Sequence, residues 1–403
     1  MRNKTPITVA LFGLPIANLT MAQAVAQVEE HILSGGMHQI ATANLDFARN
    51  SLRDPYLQRI ICDCSMVLPD GAPMLWASTL FGTPLKERVT GVDLIPELAK
   101  LSSERGYGIY LLGSSEGNSR RAAAALEKRY PGVRIVGWTC PEVASLHEMD
   151  NEGLLREIEA ANPAILLVAF GNPKQEIWIH RYRNRLKVPV AIGIGGALDT
   201  IGGSLKRAPK WIQRMQMEWF FRMAQEPLRL LPRYARDAAA LVMHLPMGLA
   251  ANRLQPEERR HGRLRVEVDG SIRVIATPAK LSGDVCGWLA REAKSAVLAG
   301  QTMVVDMSAT VRAEADGLGG LLEARRILLN GGLWIWLAGI SNPVRRVLQF
   351  SAMSDLFRIA MTPAEAIRFT VAAQSAAPHL NESMPAMGVR GPSVSNSSIA
   401  RAS

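Results

Sequence analysis

The chain has 403 residues, of which 48% are hydrophobic and 20% charged, so it can form the cores of two or three domains and is not disordered throughout. Its formal net charge is +10, and aromatic residues make up only 6%. The charge favours an anionic partner, either a phosphorylated substrate or an anionic membrane surface. Nucleic acid is the weaker candidate, because no module of basic and aromatic residues for binding it is present.

The sequence predicts neither a metal centre nor a membrane span. The apolar run over residues 7–16 is interrupted by Gly13 and Pro15, which favours a first strand over a signal peptide. No segment reaches the roughly 20 apolar residues of a transmembrane helix. The cysteines match no zinc-site spacing and are interpreted as reduced thiols of a cytosolic protein. They are Cys62, Cys64, Cys140 and Cys286.

Residues 1–205 alternate strand-like and helix-like segments. The predicted strands are Thr8–Phe12, His38–Ala41, Met66–Leu68, Ile109–Leu112, Arg134–Val136, Ala164–Ala169 and Val190–Ile194. The predicted helices include Met21–Leu33 (capped by Thr20), Leu94–Arg105, Asn118–Arg129, Asn151–Ala161 and Lys174–Leu186. This alternation, with nearly continuous apolar strands, predicts an α/β fold whose parallel sheet is covered by helices on both faces.

Polar residues follow strand-like segments at three places between residues 42 and 93. Thr42 and Asn44 come after the second strand, Asp70 lies in a Pro-Asp-Gly turn after the third, and Arg88 follows later. Ligands of open α/β sheets bind beyond the carboxyl ends of the strands. Each residue alone is an ordinary turn residue, but together they predict one shared crevice.

Three further strand exits contain glycine. Gly113–Asn118 is either a phosphate cradle or a tight strand-to-helix turn, and Gly193–Gly203 is either a ligand-binding loop or a mobile one. The G-x-G-x-x-G and P-loop patterns are absent, so NAD and ATP have weak support and a nucleotide-sugar pyrophosphate fits equally well. In the third exit, Phe170–Glu176, Gln175 and Glu176 lie in the first turn of a helix, and their side chains are expected to face the crevice.

Residues 206–247 are rich in arginine and aromatic residues. Spacings of three and four predict one apolar helical stripe formed by Ile212, Met215, Trp219 and Met223. Two interpretations stay open: a membrane-interface segment, or a terminal helix packed on the sheet with a solvated basic face. The charged residues 248–262 are predicted to be a linker.

Residues 263–372 predict a second compact unit. It begins with a hairpin of Arg263–Val268 and Ser271–Ala276 around the turn signal Asp269-Gly270. The elements that follow are a helix near Asp284–Ala299, a strand Met303–Met307, a helix Leu318–Leu329, a strand Leu333–Leu337 and a helix around Pro343–Phe350. Residues 373–403 are rich in Ser, Ala, Pro and Asn and are predicted to form a disordered tail.

The polar residues suit the transfer of a sugar from a nucleotide donor to an alcohol. Asp70 supplies a carboxylate that can deprotonate the attacking hydroxyl. Arg88 and the basic segment supply guanidinium groups that can neutralise a leaving pyrophosphate. The Asp-x-Asp metal clamp of many nucleotide-sugar enzymes is absent from the sequence, as are the nucleophile-elbow, His-Glu-x-x-His and kinase signatures.

Over roughly residues 7–236 the sequence resembles the WecG/TagA/CpsF glycosyltransferases, glycosyltransferase family 26. The motifs are, in order, T-A-N-L-D-F, L-P-D-G-A-P, R-V-T-G-V-D-L, G-N-P-K-Q-E-I-W, G-I-G-G-A-L-D and R-A-P-K-W…E-W-F-F-R…E-P-L-R-L. The resemblance implies a Rossmann-like, metal-independent, inverting enzyme of cell-surface polysaccharide biosynthesis, making an exopolysaccharide or a teichoic-acid-like polymer. Such an enzyme moves a sugar from a UDP-sugar to a polyprenyl-pyrophosphate-linked saccharide at the inner face of the membrane.

The resemblance also assigns roles to individual residues. It implies a general base, substrate-binding residues and no cofactor or metal, with residues 206–247 closing over the site as a basic appendage. The implied base is Asp70, and the implied substrate-binding residues are Thr42, Asn44, Arg88, Gln175, Arg222 and Arg229.

The second unit resembles a STAS domain of the anti-sigma-factor antagonist type. The motifs are V-V-D-M-S-A at Val304–Ala309, A-D-G-L-G-G-L at Ala315–Leu321 and N-G-G-L-W-I-W-L-A-G at Asn330–Gly339. Phosphorylation-switched members carry Ser or Thr where Ala315 and Asp316 stand here, so no phospho-switch is expected. Asp316 is interpreted either as a fixed negative charge in that place or as the cap of a helix beginning at Leu318, and the cap is preferred.

The sequence thus predicts a two-domain transferase that is cytoplasmic and peripheral on the anionic inner membrane surface. The STAS-like domain is expected to bind a protein partner or to self-associate, and a homo-oligomer stays open. Two alternatives remain. One is a STAS-driven regulatory protein with an inactive transferase-like domain, and the other is a nicotinamide-dependent oxidoreductase that uses the loops at Gly113 and Gly193.

Overall fold

The structure, a computed structural model, forms two α/β units in succession. It describes residues 7–142, 145–215, 217–228, 230–237, 239 and 264–376. Arg229, the predicted linker 248–262 and residues 377–403 of the predicted tail lie outside the described residues.

The first unit is built on an eight-stranded sheet. Its strands are β1 (Thr8–Leu11), β2 (Leu14–Ala17), β3 (His38–Ala43), β4 (Met66–Pro69), β5 (Gly108–Gly113), β6 (Arg134–Thr139), β7 (Ile165–Ala169) and β8 (Val190–Gly193). Its helices are α1 (Met21–Ser34), α2 (Leu45–Arg53), α3 (Pro55–Cys62), α4 (Ala72–Leu80), α5 (Gly91–Arg105), α6 (Glu116–Arg129), α7 (Asn151–Ala161), α8 (Lys174–Tyr182) and α9 (Ala197–Ile201). The strand order is β1-β2-β4-β3-β8-β7-β5-β6, with β1 antiparallel to β2 and the other pairs parallel.

Helices cover both faces of this sheet, as predicted. Alternate residues of β5 show it, since Ile109 and Leu111 belong to one buried cluster and Tyr110 and Leu112 to another. A parallel strand buried on both faces reads as a continuous apolar run, and β5 is buried along its whole length. The predicted parallel α/β fold class is therefore confirmed.

The predicted first strand, Thr8–Phe12, is present as β1, and it forms a hairpin with β2, which was not predicted. Phe12 and Gly13 have φ values of 52° and 75°, which let the chain turn back so that Val9 pairs with Ile16. Thr20 caps α1 in a capping box with Gln23, as predicted for Thr20. Three helices, α2 to α4, follow the predicted strand exits at Thr42–Asn44 and Asp70 and were not predicted.

A helical appendage follows the first unit. It comprises α10 (Lys210–Arg214), α11 (Glu218–Gln225) and helical residues 230–237. The prediction of one continuous apolar stripe is wrong, because α10 ends before Met215 and a new helix starts at Glu218, so the spacing of three and four is interrupted. Within the described residues, no helix combines the length and apolar character needed to cross a bilayer.

The second unit contains a five-stranded sheet in the order β15-β14-β12-β10-β9 and a small two-stranded one. Its strands are β9 (Arg265–Asp269), β10 (Ile272–Ala276), β11 (Lys280–Leu281), β12 (Thr302–Asp306), β13 (Arg312–Ala313), β14 (Ile335–Ala338) and β15 (Arg358–Ala360). Its helices are α12 (Gly283–Leu298), α13 (Ala315–Asn330), α14 (Asn342–Phe350) and α15 (Pro363–Ala376). The predicted hairpin is confirmed, with Gly270 at φ 53° in its turn.

Two predictions about the second unit are wrong. Helix α13 begins at Ala315, so Asp316 lies in its first turn and accepts from the backbone N–H of Gly317 at 2.8 Å, while Glu314 occupies the N-cap position. Helix α15 continues to Ala376, so residues 373–376 are helical and the tail does not begin at 373. The sequence around that boundary is alanine-rich, which allows a helix to continue.

Candidate active site

Asp70 lies at the carboxyl end of β4, next to the end of β3. Its backbone N–H donates to the carbonyl of Ala43 at 2.8 Å, and the N–H of Val89 donates to the carbonyl of Pro69 at 2.9 Å. The first bond fixes the Asp70 turn against β3, and the second brings Arg88 alongside it. Gly71 has a φ of 105°, a conformation that favours glycine, and its position approaches the side chain of Asn44.

Thr42 and Asn44 hold the neighbouring backbone in place. Thr42 was predicted to follow its strand, but β3 extends to Ala43, so Thr42 is a buried strand residue whose hydroxyl donates to the carbonyl of Gly193 at 2.9 Å. Asn44 is the N-cap of α2, and its Oδ1 accepts from the N–H groups of Asp46 and Phe47 at 3.0 and 3.3 Å. Both residues lie at the same sheet edge as Asp70.

Gln175 is buried and joins two glycine-containing exits. Its Oε1 accepts from the backbone N–H groups of Gly171 and Gly195 at 3.1 and 3.0 Å, and its Nε2 donates to Glu176 at 2.7 Å. A side chain at Gly193 would collide with this pair, because a Cβ there would lie 2.6 Å from Nε2 of Gln175. In this structure the polar atoms of Gln175 therefore fix the two loops at the strand ends.

Glu176, the next residue of this helix turn, is buried under the same loops. Its carboxylate accepts from Gln175 and, at 3.0 Å, from Nδ2 of Asn172. Burial raises its pKa to about 7, against the opposing hydrogen bonds from Gln175 and Asn172. Asn172 in turn accepts from Asn50 of α2 at 2.7 Å, which ties α8 to α2.

Arg88 belongs to a charge network that ties the appendage to the first unit. Its guanidinium lies 3.1 Å from Glu218 of α11 and 3.7 Å from Asp93 of α5. Arg207 contacts the same two carboxylates. The motif around Arg88 and the two appendage motifs, which are distant in sequence, therefore meet at one place.

Asp70 lies within this charged environment. Burial raises its pKa to about 6; Arg222 and Arg88 act in the opposite direction, while Glu218 and Asp93 raise the pKa further. A carboxyl with such a pKa is largely ionised at neutral pH and is still basic enough to accept a proton, as a general base must.

Arg222 comes from α11 of the appendage. Its guanidinium lies beside the glycine loop after β8, where a Cβ at Gly196 would be 3.7 Å from its Nη2. The structure thus brings together Asp70, Arg88 and Arg222, whereas the predicted site residue Arg229 lies outside the described residues.

A second contact between the first unit and the appendage, made by α2, was not predicted. Arg49 of α2 lies 2.8 Å from Asp237, and Arg233 lies 3.0 Å from Asp46. Tyr234, which follows Arg233 in the sequence, packs edge-on against Trp219. Burial raises the pKa of Tyr234, while the charge of Arg222 acts to lower it. Only the long-range fold reveals this contact, because nothing in the local sequence links residues 46–49 with 233–237.

The Gly113 loop joins a second glycine loop. Oγ of Ser114 and Nδ2 of Asn118 both donate to Oδ1 of Asp199, at 2.5 and 2.8 Å. A Cβ at Gly113 would lie 2.8 Å from the ring of Phe170, so close packing alone requires glycine there. In the part of the chain that the structure describes, no group of three or more His, Cys, Asp and Glu side chains is arranged to hold a metal ion.

Comparisons with known proteins assign the first unit and the appendage. Residues 9–256 match the glycosyl transferase WecG/TagA/CpsF family. The chain is 29% identical over 234 residues to the N-acetylglucosaminyldiphosphoundecaprenol N-acetyl-beta-D-mannosaminyltransferase of Bacillus subtilis (strain 168), covering 57% of this chain and 90% of that enzyme. Enzymes of the same name from Bacillus spizizenii and Staphylococcus aureus (strain MRSA252) are 30% identical over 190 residues and 28% identical over 219 residues. These two alignments cover 47% and 53% of this chain, and 72% and 83% of the respective enzymes.

Among the solved structures similar to this chain are anti-sigma factor antagonists. SpoIIAA in its unphosphorylated form is 23% identical, covers 27% of this chain and is itself covered to 97%, with a TM-score of 0.25. A STAS domain protein from Planctomyces limnophilus is 18% identical with the same coverage and TM-score. This likeness concerns the fold of about a quarter of the chain and says nothing about its partners. The family match covers more than half of the chain, and the chain therefore belongs to the WecG/TagA/CpsF glycosyltransferase family.

Proposed function

We propose that the protein transfers a hexose-type sugar from a UDP-sugar to a polyprenyl-diphosphate-linked saccharide, in the synthesis of a cell-surface polysaccharide. The observation that carries the proposal is a carboxyl group, Asp70, with a pKa of about 6 and two arginines, Arg88 and Arg222, within electrostatic reach. The names of the relatives specify an N-acetylglucosaminyl-diphosphoundecaprenol acceptor and an N-acetylmannosaminyl group, which makes these the first substrates to test.

In the proposed reaction Asp70 removes the proton from an acceptor hydroxyl. The hydroxyl oxygen then attacks the anomeric carbon from the face opposite the diphosphate, and the bond between that carbon and the diphosphate oxygen breaks. UDP leaves with the electron pair, and the configuration of the sugar is inverted. Guanidinium groups of Arg88 and Arg222 stabilise the negative charge on the departing diphosphate, so that no metal ion is required.

The remaining predicted residues support this reaction in different ways. Thr42 and Gln175 use their polar atoms on Gly193, Gly171 and Gly195, so we propose that they shape the sugar site through the backbone. Asn44 keeps its place beside the Asp70 turn by capping α2. Arg229 stays a proposed diphosphate-binding residue of the appendage.

We further propose that the appendage holds the enzyme on the inner face of the membrane. Trp211 and Leu228 are 63% and 94% exposed, with Phe220 and Leu231 also exposed nearby in sequence, and the segment is basic. Aromatic and aliphatic side chains among basic residues favour an anionic bilayer surface. Trp211→Glu with Leu228→Glu should reduce binding to anionic vesicles in sedimentation assays, and undiminished binding would refute this role.

The direct test is to incubate the protein with a panel of UDP-sugars and lipid-linked mono- and oligosaccharides, with and without EDTA. The proposal expects product from a UDP-sugar and no loss of activity with EDTA. Loss of activity in EDTA that returns with a divalent cation would contradict the metal-independent mechanism. Thermal stabilisation by NAD and not by UDP would support the oxidoreductase alternative instead. Stable capture of a protein partner without any transfer would favour the regulatory alternative.

A further inference from the structure

Helix α13 of the second unit packs directly on the first unit. Each glycine in its Gly317-Leu318-Gly319-Gly320 segment faces a different neighbour. A Cβ at Gly317 would lie 2.4 Å from the carbonyl oxygen of Leu281, and one at Gly320 would lie 2.7 Å from Cα of Cys286. These two contacts are internal to the second unit. A Cβ at Gly319 would lie 1.9 Å from the carbonyl oxygen of Thr8 in β1, so Gly319 serves the contact between the units.

The apolar cores of the two units are continuous at this contact. Cys62 of α3 is buried in the hydrophobic cluster of the second unit, and Ala10 of β1 packs against the same cluster. In the opposite direction, Ala315 of α13 packs against the cluster around β1 and β2. Separation of the units would therefore expose apolar surface on both sides, which is unfavourable in water.

Buried polar groups also pair across the contact. Arg325 of α13 is only 7% exposed, and its Nη1 donates across the contact to Oδ1 of Asp63 at 2.7 Å. Its Nε donates to the carbonyl of Leu356 within its own unit, also at 2.7 Å. Gln58 of α3 donates to the carbonyl of Ala352 at 2.9 Å. Packing the units together with these groups unpaired would be costly, so the hydrogen bonds from Arg325 and Gln58 show that the two surfaces are matched in polar groups as well as in apolar ones.

The position of β1 at the edge of the large sheet explains why another element has to pack over this strand. This strand lies at the end of the strand order of the large sheet, and three of its four residues are buried. An apolar edge strand left uncovered is prone to pair with other chains. Helix α13 covers it, much as a subunit would.

We propose that the second unit takes the first unit of its own chain as its fixed partner, with α13 as the docking helix, so that the two units unfold together. The α13 face is then committed within the chain and does not serve to recruit a separate protein. This proposal does not depend on which sugar or acceptor the enzyme uses.

The test compares Gly319→Ala with Gly287→Ala in the full chain. Gly287 lies in α12, where a Cβ would meet nothing nearer than Nη1 of Arg291 at 3.7 Å, so its substitution controls for the change of glycine to alanine in a helix. Calorimetry of the wild-type chain should give one transition that covers both units. Gly319→Ala should split it or lower its midpoint by several degrees, whereas Gly287→Ala should not.

Hydrogen exchange gives a second, local readout of the same proposal. In Gly319→Ala the amides of β1, β2 and α3 should exchange at least about 10-fold faster, while those of β5 keep the wild-type rate. Gln58→Ala, a milder change, should accelerate the same amides and keeps the test decisive if Gly319→Ala does not fold. Two independent transitions in the wild-type chain, or unchanged exchange in α3 in both variants, would overturn the proposal.

Discussion

Each unit has an aspartate at the carboxyl end of a strand that pairs in parallel with its neighbours, but the groups around the two aspartates differ. Asp70 follows β4 of the first unit, and Asp306 ends β12 of the second. Asp306 accepts a hydrogen bond from the backbone N–H of Ser308 at 2.9 Å, within its own loop. Asp70 instead lies within reach of Arg88 and Arg222, which belong to other segments. The two carboxylates therefore differ in the charges that other segments bring to them, and this difference is the reason why Asp70, and not Asp306, is proposed as the base.

The largest expected difference between the two aspartates is in catalysis. Asp70→Asn should lower the rate of sugar transfer by about 10²- to 10⁴-fold, because the side chain can no longer accept the acceptor proton. Asp306→Asn should leave the rate unchanged. The measurement is single-turnover transfer to the lipid-linked acceptor, with UDP binding followed by calorimetry as a check that the donor site is intact. Wild-type-like turnover of the Asp70 variant would refute its role as the base.

The arginine that the appendage brings to Asp70 should have the next largest effect. Arg222→Gln should lower kcat/KM for the donor by about 100-fold, since one charged donor to the leaving diphosphate is lost. The control is Arg120→Gln on the exposed surface of α6, which should leave kcat/KM for the donor unchanged. If both variants behave alike, the appendage does not complete the site.

The strand-and-helix alternation and the strand-end position of Asp70 could be predicted from the sequence, because both follow from local patterns. Helices α2 and α3 could have been found as well. Asn44 and Asp54 cap them, and proline follows Asp54 at the first position of α3; both are local start signals of helices.

The partners of the site residues could not be predicted in the same way. Glu218 pairs with Arg88 across 130 positions of the chain, and Tyr234 reaches the Asp70 region only because the appendage folds back. Likewise, the sequence indicated that Gln175 was polar and near a strand end. It did not indicate that the amide oxygen of Gln175 would accept from Gly171 and Gly195, or that its amide nitrogen would donate to Glu176.

Substitution of Asp70, which should lower activity, should raise the stability of the protein, whereas substitution of Asp306 should not. Burial raises the pKa of Asp70 from 3.8 to about 6, so as the pH rises from about 4 to 6 the unfolded state loses this proton before the folded state does, and above pH 6 the folded state holds the carboxylate in a less favourable environment than water. Asp70→Asn should therefore increase the free energy of unfolding at pH 8 by on the order of 1–3 kcal/mol, and the gain should vanish near pH 4. Asp306→Asn weakens the bond from Ser308 and should give no gain. Urea denaturation at both pH values checks this, and a loss of stability in the Asp70 variant at pH 8 would contradict the assigned environment.

The smallest expected effect is a shift in the pH dependence of transfer. The charged or titratable groups that act on Asp70 are Arg222, Arg88, Glu218 and Asp93, with Tyr234 nearby.

A base must be ionised, so transfer should rise with pH through about 6 in the wild-type enzyme. Glu218→Gln removes a negative charge that raises the pKa of Asp70. It also removes the nearer of the two carboxylates that contact Arg88, at 3.1 Å. Both changes favour the ionised form, so the acid limb of kcat/KM should move to lower pH, whereas Glu97→Gln on the exposed side of α5 should not move it. A limb that stays in place, or moves to higher pH, would show that Glu218 does not act on Asp70 and that the appendage affects the base in some other way.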